Sequence, residues 1–446
     1  MSATPVFATQ GGRLIPPPLP PGVYVDVGAR GPAAERAPEL MTGVPALIGY
    51  AEPDPTALER GRLPAVVLDR WNADAVRQLL KPHDRSFLPM AVRGFFANGG
   101  KRCVVLPVPP SSGAKGFLEV LQPGGPLEER TDIDLICVPD AVSRIMRDRD
   151  TRHAGDNPYE VHAAMLAHCE AMGDRFAILD APDAGPPVAR KRDIVGEVLD
   201  QASSLRSAFG ALYFPWIGSD RTRDALAVVA PPTGSQEWRC LAQPRTGEDH
   251  GALGFGPPCG HIAGLFARID ALVGPQRSPA NANLEDVVDT SVHLTARQHA
   301  LLNQGGVNCL RRLPGRGNID VGGARTLSGH SALAYVSAAR VVFGFRRWLE
   351  VGLRDLVFEP NSIMLWDRIG LRLVSRCLEL LRSGALAGRE PAQAFFVKCD
   401  SETNPPDEID LGRVVAHVGL APSTPAEFIV VRIEHDPRGV TVSSLY

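Results

Sequence analysis

Five short runs of continuous apolar sequence recur through the middle of this chain: Cys103–Val108, Leu135–Val138, Phe176–Leu179, Ala211–Phe214 and Ala225–Val229. Each is too short for a buried helix and lacks the in–out alternation of a sheet with one wet face, so each reads as a strand covered on both sides. Segments with helical character lie between them, around Tyr159–Met172 and Ile194–Phe209. Ahead of them, Ala46–Tyr50 reads as a further strand, and Asp74–Leu80 and Pro89–Asn98 read as helices, the second stopped by Gly99 and Gly100. Beyond the glycine-rich loop Gly251–Pro258 come a helix at His261–Val273, short elements at Leu284–Val292 and Arg297–Gln304, and a strand at Val307–Leu313. Buried strands alternating with helices predict a mostly parallel sheet in a layered α/β domain.

The last third has a different rhythm. From Ser331 onward, Val341, Phe345, Trp348 and Gly352 recur at steps of three and four, one face of a helix. The string FEPN ends it, because Pro360 has no N–H and pushes Glu359 out of the helical region. Asn361 stands where an N-cap belongs, and Leu365, Ile369, Leu373, Cys377 and Leu381 make a second apolar stripe that Gly384 stops. Phe395–Cys399, Val414–Val418 and Glu427–Ile433 are β-branched and aromatic runs set apart by Pro, Asn and Gly, so two helices and three strands are expected. Both chain ends read as extended. Residues 1–21 are rich in Pro and Gly, and GVYVDV follows as a short strand. At the other end Asp436–Gly439 is a turn signal before VTVSSLY, in which Val440 and Val442 face one way and Thr441 and Ser443 the other. That segment is too short to build a sheet alone.

At 446 residues, two or three domains are expected. A formal net charge of −3 gives no sign of a nucleic-acid binder. The eight cysteines are scattered in apolar runs without a CxxC pair, which fits buried reduced thiols rather than disulfides or zinc. The start MSATPVFATQGG has neither the basic residues nor the apolar core of a signal peptide, and no apolar run approaches the roughly 20 residues of a membrane span.

A parallel sheet invites an enzyme reading. NGGKRC and SSGAKG contain Gly and Lys but lack the GxxxxGK[ST] spacing of a phosphate loop. His162, His168 and Cys169 share one helical segment without a further ligand cluster, the pattern of an ordinary packed helix. Asp140 and Asp180 end consecutive strands, where α/β enzymes place catalytic groups, and where aspartates also cap helices and form turns. Asp400, Glu402, Asp407, Glu408 and Asp410 lack the order of a calcium loop and read as a solvated or salt-bridging acidic stretch. No catalytic, cofactor or metal site is expected. The alternative that survives is a soluble α/β enzyme of unknown chemistry with an accessory C-terminal domain.

Several unusual strings near the C-terminus, GARTLS, FEPN followed by LWDRI, AFFVKCDSETNPP and PAEFIVVRI, resemble in order the C-terminal domain of contractile tail sheath proteins of phages and phage-derived injection systems. PGVYVDVGARGPAAERAPELMTGVPALIGYAE resembles that family's opening, and CEAMGDRFAILDAP and ALYFPW resemble its middle more loosely. The resemblance implies an arm at 1–22, an α/β sheath domain at 23–275, an assembly domain at 276–436 and a linking strand at 437–446. It implies a structural subunit that polymerises with itself as helically stacked six-membered rings around an inner tube, with baseplate and terminator or cap proteins at the ends. Linking strands between subunits are expected at Val23, Tyr24 and Val25 and at Val440, Thr441, Val442 and Ser443. Arg368, Arg372 and Arg382 fall within one quadrant of the second helix and are the expected inner-tube contact. The family also implies cytoplasmic assembly in a bacterium, no nucleic acid and no membrane insertion. Because the chain spans what type six secretion sheaths divide between two chains, it resembles the one-chain phage and injection-particle kind.

Overall fold

The computed structural model describes residues 8–10, 13–15, 41–52, 65–83, 86–143, 157–182, 193–219, 254–312, 318–328, 333–356, 359–410, 412–424, 430–436 and 439–445. The chain divides into a larger unit, 41–344 with 424–446, and a smaller one, 345–423 with 1–40. At the N-terminus β1 (Ala8–Gln10) and β2 (Arg13–Ile15) pair as a short antiparallel hairpin. Within the extended arm expected over 1–22, these two strands run antiparallel to one another. Val23, Tyr24 and Val25, the expected strand Ala225–Val229 and Cys240 lie outside the described residues.

The larger unit is built as β3 (Pro45–Tyr50), β4 (Val66–Leu68), α1 (Leu88–Ala97), β5 (Cys103–Val108), α2 (Gly113–Leu121), β6 (Leu135–Cys137), α3 (Pro158–Met172), β7 (Phe176–Asp180), α4 (Ile194–Ser204) and β8 (Gly210–Phe214). It continues through β9 (Ile217–Ser219), β10 (Gly254–Gly256), α5 (Cys259–Leu272), β11 (Asn283–Leu284), β12 (Asp289–Thr290), α6 (Ala296–Gln304), β13 (Val307–Arg312) and β14 (Ile319–Val321). A nine-stranded sheet runs β11-β14-β13-β8-β7-β6-β3-β5-β4. The six strands from β13 to β5 are parallel, and β4, β14 and β11 join antiparallel at the two ends. The strands are apolar on both faces because both are covered. Val104, Leu106 and Val108 enter one core, with Phe117 and Met165, and Cys103 and Val105 enter the other, with Phe95 and Phe266. The seven described cysteines are free and buried.

The expected boundary at 275/276 is corrected: β11, β13 and β14 belong to this sheet, with Cys309 of β13 in register with Phe214 of β8. Local pattern marked Val307–Leu313 as a strand but could not say which sheet would take it. Two helices also differ from expectation. The stretch Asp74–Leu80 is one α turn, Ala73–Ala75, that widens into a π turn at Val76–Leu80. The helix expected to reach Phe209 stops at Ser204, where the hydroxyls of Ser203 and Ser204 donate to the carbonyls of Asp200 and Gln201 and compete with the helical ladder.

α1 and α5 pack on one face of the sheet through glycine. A Cβ on Gly260 would stand 2.2 Å from the Ala91 carbonyl oxygen, and one on Gly264 would stand 2.3 Å from that of Phe95. The α1 backbone itself fills the space that a side chain would need.

The division between the units falls inside α7 (Val336–Gly352). The smaller unit contains α8 (Ile363–Arg382), β15 (Phe395–Lys398) and β16 (His417–Leu420). The N-cap of α8 is Ser362, which accepts the Leu365 N–H, rather than the expected Asn361. Asn361 instead accepts the Trp366 indole N–H at 2.7 Å and donates to the Arg413 carbonyl at 2.8 Å. Gly384, at φ +73°, stands just beyond the helix end, as expected.

β15 and β16 pair antiparallel. The loop between them is tied internally: Asp400 Oδ1 accepts the N–H groups of Glu402 and Thr403, and Asn404 both accepts from and donates to the backbone of Val415. That tie explains why the strand expected from Val414 starts at His417. β17 (Val430–Asp436) and β18 (Gly439–Leu445) form a separate antiparallel hairpin, with Val442 opposite Ile433 and Val440 opposite His435. This corrects the expectation that Val440, Thr441, Val442 and Ser443 leave their own chain unpaired. The turn signal closes a hairpin, because the run before it is long enough to be matched residue for residue.

Candidate functional site

Asp140 and Asp180 lie at the carboxyl edge of the parallel strands, and each accepts a hydrogen bond from the start of a helix. Asp140 Oδ2 accepts the Tyr50 N–H at 2.7 Å and the Ser86 hydroxyl at 2.5 Å, while Oδ1 accepts the Phe87 N–H at 2.6 Å. Phe87 is the N-cap of α1, and its own side chain caps nothing. Asp180 Oδ1 accepts the N–H of Cys259, the first residue of α5, at 2.9 Å. Burial pushes Asp140 up to about 6 and Asp180 to about 7, with these hydrogen bonds pulling the other way. The two aspartates are thus caps supplied from strand ends to helices distant in sequence.

The histidines do not converge. Nδ1 of His162 accepts from Gln201 Nε2 at 3.1 Å, and burial lowers its pKa to about 4. His168 makes two bonds of 3.0 Å: Nδ1 to the Leu121 carbonyl, and Nε2 to the guanidinium of the fully buried Arg175. Arg175 in turn donates to the carbonyls of Leu127 and Arg130, so this helix braces the loop ahead of β6. Cys169 is a buried thiol in the core. Among the described residues no three His, Cys, Asp or Glu side chains come together as a metal site. In the acidic stretch, Glu402 pairs with Lys398 and Glu408 with Arg413.

The three arginines of α8 behave differently from one another. Arg368 binds both oxygens of Glu359, at 2.7 and 2.5 Å. Arg372 binds Asp355, and donates to the Gly352 carbonyl at 2.9 Å. Its hydrogen bond holds the Asp355 carboxyl below the usual range. Arg382 is exposed in the last turn. Two of the three arginines of the expected tube contact are thus charge-balanced, by acids from the turn before the helix. What the helical pattern did not single out is apolar: Met364 and Leu371 stand 78% and 57% exposed on the outward side of α8. Their spacing of seven was the available signal.

GARTLS has a structural role in the larger unit. Asn308 of β13 accepts the Arg325 N–H at 2.7 Å and donates to the Arg325 carbonyl at 2.8 Å, and the Leu327 N–H donates to Gly210 at the start of β8. The string is stitched along the end of the sheet.

A layered α/β unit whose strand-end carboxylates cap helices, with a small α+β unit, is the class of protein that the described residues define. Residues 150–327 match the family model for the phage tail sheath protein central domain. The fold matches a chain of the anti-feeding prophage helical sheath in its contracted state at 25% identity and TM-score 0.65, covering 94% of this chain and 99% of that one. A chain of the anti-feeding prophage baseplate matches at the same identity and TM-score, with 93% and 99% covered. The contracted PVC sheath of an extracellular contractile injection system shares the fold at 21% identity and TM-score 0.65, with 94% and 98% covered. No curated protein matches the sequence. The central part of the chain thus matches the phage tail sheath family, and nearly the whole chain shares the fold of contractile sheath proteins. No described helix is long and apolar enough to cross a membrane.

Proposed function

We propose that this chain is the sheath subunit of a phage-tail-like contractile particle, stacked as six-membered rings around an inner tube and shortening to drive the tube through a target envelope. The observation that carries the reading is the likeness, over nearly the whole of both chains, to a contracted helical sheath. Repetition of one contact between two different patches of the subunit generates an open helix of this kind.

The linking element would be strand addition. The β15–β16 sheet has no third strand among the described residues, and the same holds for the β17–β18 hairpin. Two-stranded sheets offer unpaired edges, which a strand from a neighbour can extend through backbone hydrogen bonds. Val23–Val25 of one subunit and the hairpin holding Val440–Ser443 of another would supply the strands. Such joints allow rigid units to rotate while staying linked. On the tube side, the outward face of α8, with Met364, Leu371 and Arg382, is the proposed contact. Baseplate and cap proteins would close the two ends of the array.

The test is electron microscopy of the chain produced with its tube protein, with and without Val440–Tyr446. The full chain should give striated tubes or rings. The truncated chain should stay soluble and folded by circular dichroism yet give neither. Normal tubes from the truncated chain would remove the linking role of this segment, and featureless particles from the full chain would remove the sheath reading itself.

A further inference from the structure

Open parallel sheets bind small molecules at the point where successive strands depart in opposite directions, outside their carboxyl ends. Here that point lies between β3 and β6. From β3 the chain goes through α1 to β5 on one side, then crosses back through α2 to β6 on the other. The ends of β3 and β6 therefore frame the crevice in which this architecture takes up ligands.

That crevice holds donors suited to an anion. The Phe87 N–H opens a ten-residue helix, Ser86 supplies a hydroxyl, and the Tyr50 N–H closes β3. A helix N-terminus with a hydroxyl and a strand-end amide is the donor set that elsewhere receives a phosphate or carboxylate. All three donors are satisfied by one carboxylate, that of Asp140, fully buried at 2.5–2.7 Å from each. We propose that Asp140 is an internal ligand, whose carboxylate fills the anion site at the switch point and closes the crevice to outside molecules.

Two further features fit this role. Gly49 leaves the room that the carboxylate occupies, since a Cβ there would lie 2.8 Å from Asp140 Oδ2 and 2.8 Å from Leu88. Over the same place Phe87, Val142 and Trp216 form a buried apolar cluster, with the Phe87 and Trp216 rings edge to face at 5.1 Å. The Trp216 indole is tied down by donating to the Ala181 carbonyl at 2.8 Å. This reading concerns the folded subunit alone and stands or falls separately from assembly.

Cutting the side chain back should leave a vacancy shaped for a one-carbon carboxylate. In the full-length Asp140→Ala variant, thermal unfolding is followed in sodium formate, sodium acetate and sodium chloride of equal ionic strength. The variant should melt well below wild type, and formate should raise its midpoint saturably, by about 2–4 °C. Formate should do this more than acetate or chloride, and more than it raises wild type. Asp140→Asn, which fills the space, should gain nothing specific from formate. Equal responses of wild type and Asp140→Ala, or an equal gain in Asp140→Asn, would overturn the proposal. If Asp140→Ala is recovered only by refolding, the yield of soluble protein in formate against chloride becomes the readout. Equal yields count against it.

Discussion

Arg340 of α7 and Asp270 of α5 form a bidentate ion pair, at 2.8 and 2.5 Å, inside the larger unit. The guanidinium also reaches Asp134 at 3.4 Å and lies over the Phe266 ring, 4.8 Å from its centre. Asp134 accepts the N–H groups of Gly43 and Val44 at the entry to β3. One cation thus ties α7, α5 and the start of two strands. Burial works against its charge, but the two carboxylates outweigh that and raise its pKa. Arg340→Leu should destabilise by about 3–5 kcal/mol in urea unfolding, because two buried carboxylates lose their counter-charge. Arg340→Lys should recover part of this, lacking the second parallel hydrogen bond. A change under about 1 kcal/mol for Arg340→Leu contradicts the account.

The glycine contact between α1 and α5 makes a sharper test of packing. Gly260→Ala pushes a methyl into the Ala91 backbone, which cannot give as a side-chain tip can. A loss on the order of 3 kcal/mol is expected. Gly370→Ala in α8 meets nothing within 4 Å and should stabilise by up to about 1 kcal/mol, the ordinary helix-propensity gain. Matching outcomes for the two variants would show that the close approach does not govern stability.

The buried ionisable groups set opposing pH dependences. Asp180 is pushed up to about 7 by burial, whereas an aspartate in the unfolded chain titrates near ~3.9. Between these values the folded protein holds a proton that the unfolded chain has lost. Its contribution is therefore full below about pH 4 and is lost as pH rises through about 7. Asp180→Asn keeps an acceptor for the Cys259 N–H, removes this slope, and should be at least as stable as wild type at pH 8. Urea midpoints measured from pH 5 to pH 8 check it; a steeper loss in the variant contradicts it.

His261 has the opposite sign. Among the described residues neither of its buried ring nitrogens has a hydrogen-bond partner, and burial, then Arg93, lowers its pKa to about 3. Since an unfolded histidine titrates near ~6.5, its contribution is full above that pH and is lost as pH falls toward 3. His261→Leu should gain stability relative to wild type on going from pH 8 to pH 5, read from the same midpoints. An unchanged difference between the two proteins across that range would sink the assignment.

For assembly, Met364→Asp with Leu371→Asp should leave the subunit folded and lower the share of extended sheath attached to tube, counted in micrographs. Arg368→Glu with Arg372→Glu should first lower thermal stability, because each arginine already serves an acid of its own unit. Attachment unchanged in the apolar pair would reject the outward α8 face as the tube contact.

The kind of layers and the motif strings are legible in local pattern. Continuous apolar runs at 103–108, 135–138, 176–179 and 211–214 required strands covered on both faces, and all four are central strands of one sheet. Asp140 and Asp180 were legible as strand-end carboxylates, since a short polar side chain after an apolar run has few other places to be. The helices they cap were decided by the tertiary structure, because Phe87 and Cys259 lie 53 and 79 residues away and no local spacing encodes such a pairing. The same holds for β13, which joined β8 rather than the C-terminal elements, and for Arg368 and Arg372, whose charge was visible on the helix wheel while their partners stood in the preceding turn. Periodicity reports which side of an element is apolar. Which partner meets that side depends on how distant segments pack, and that is settled only when the chain has folded.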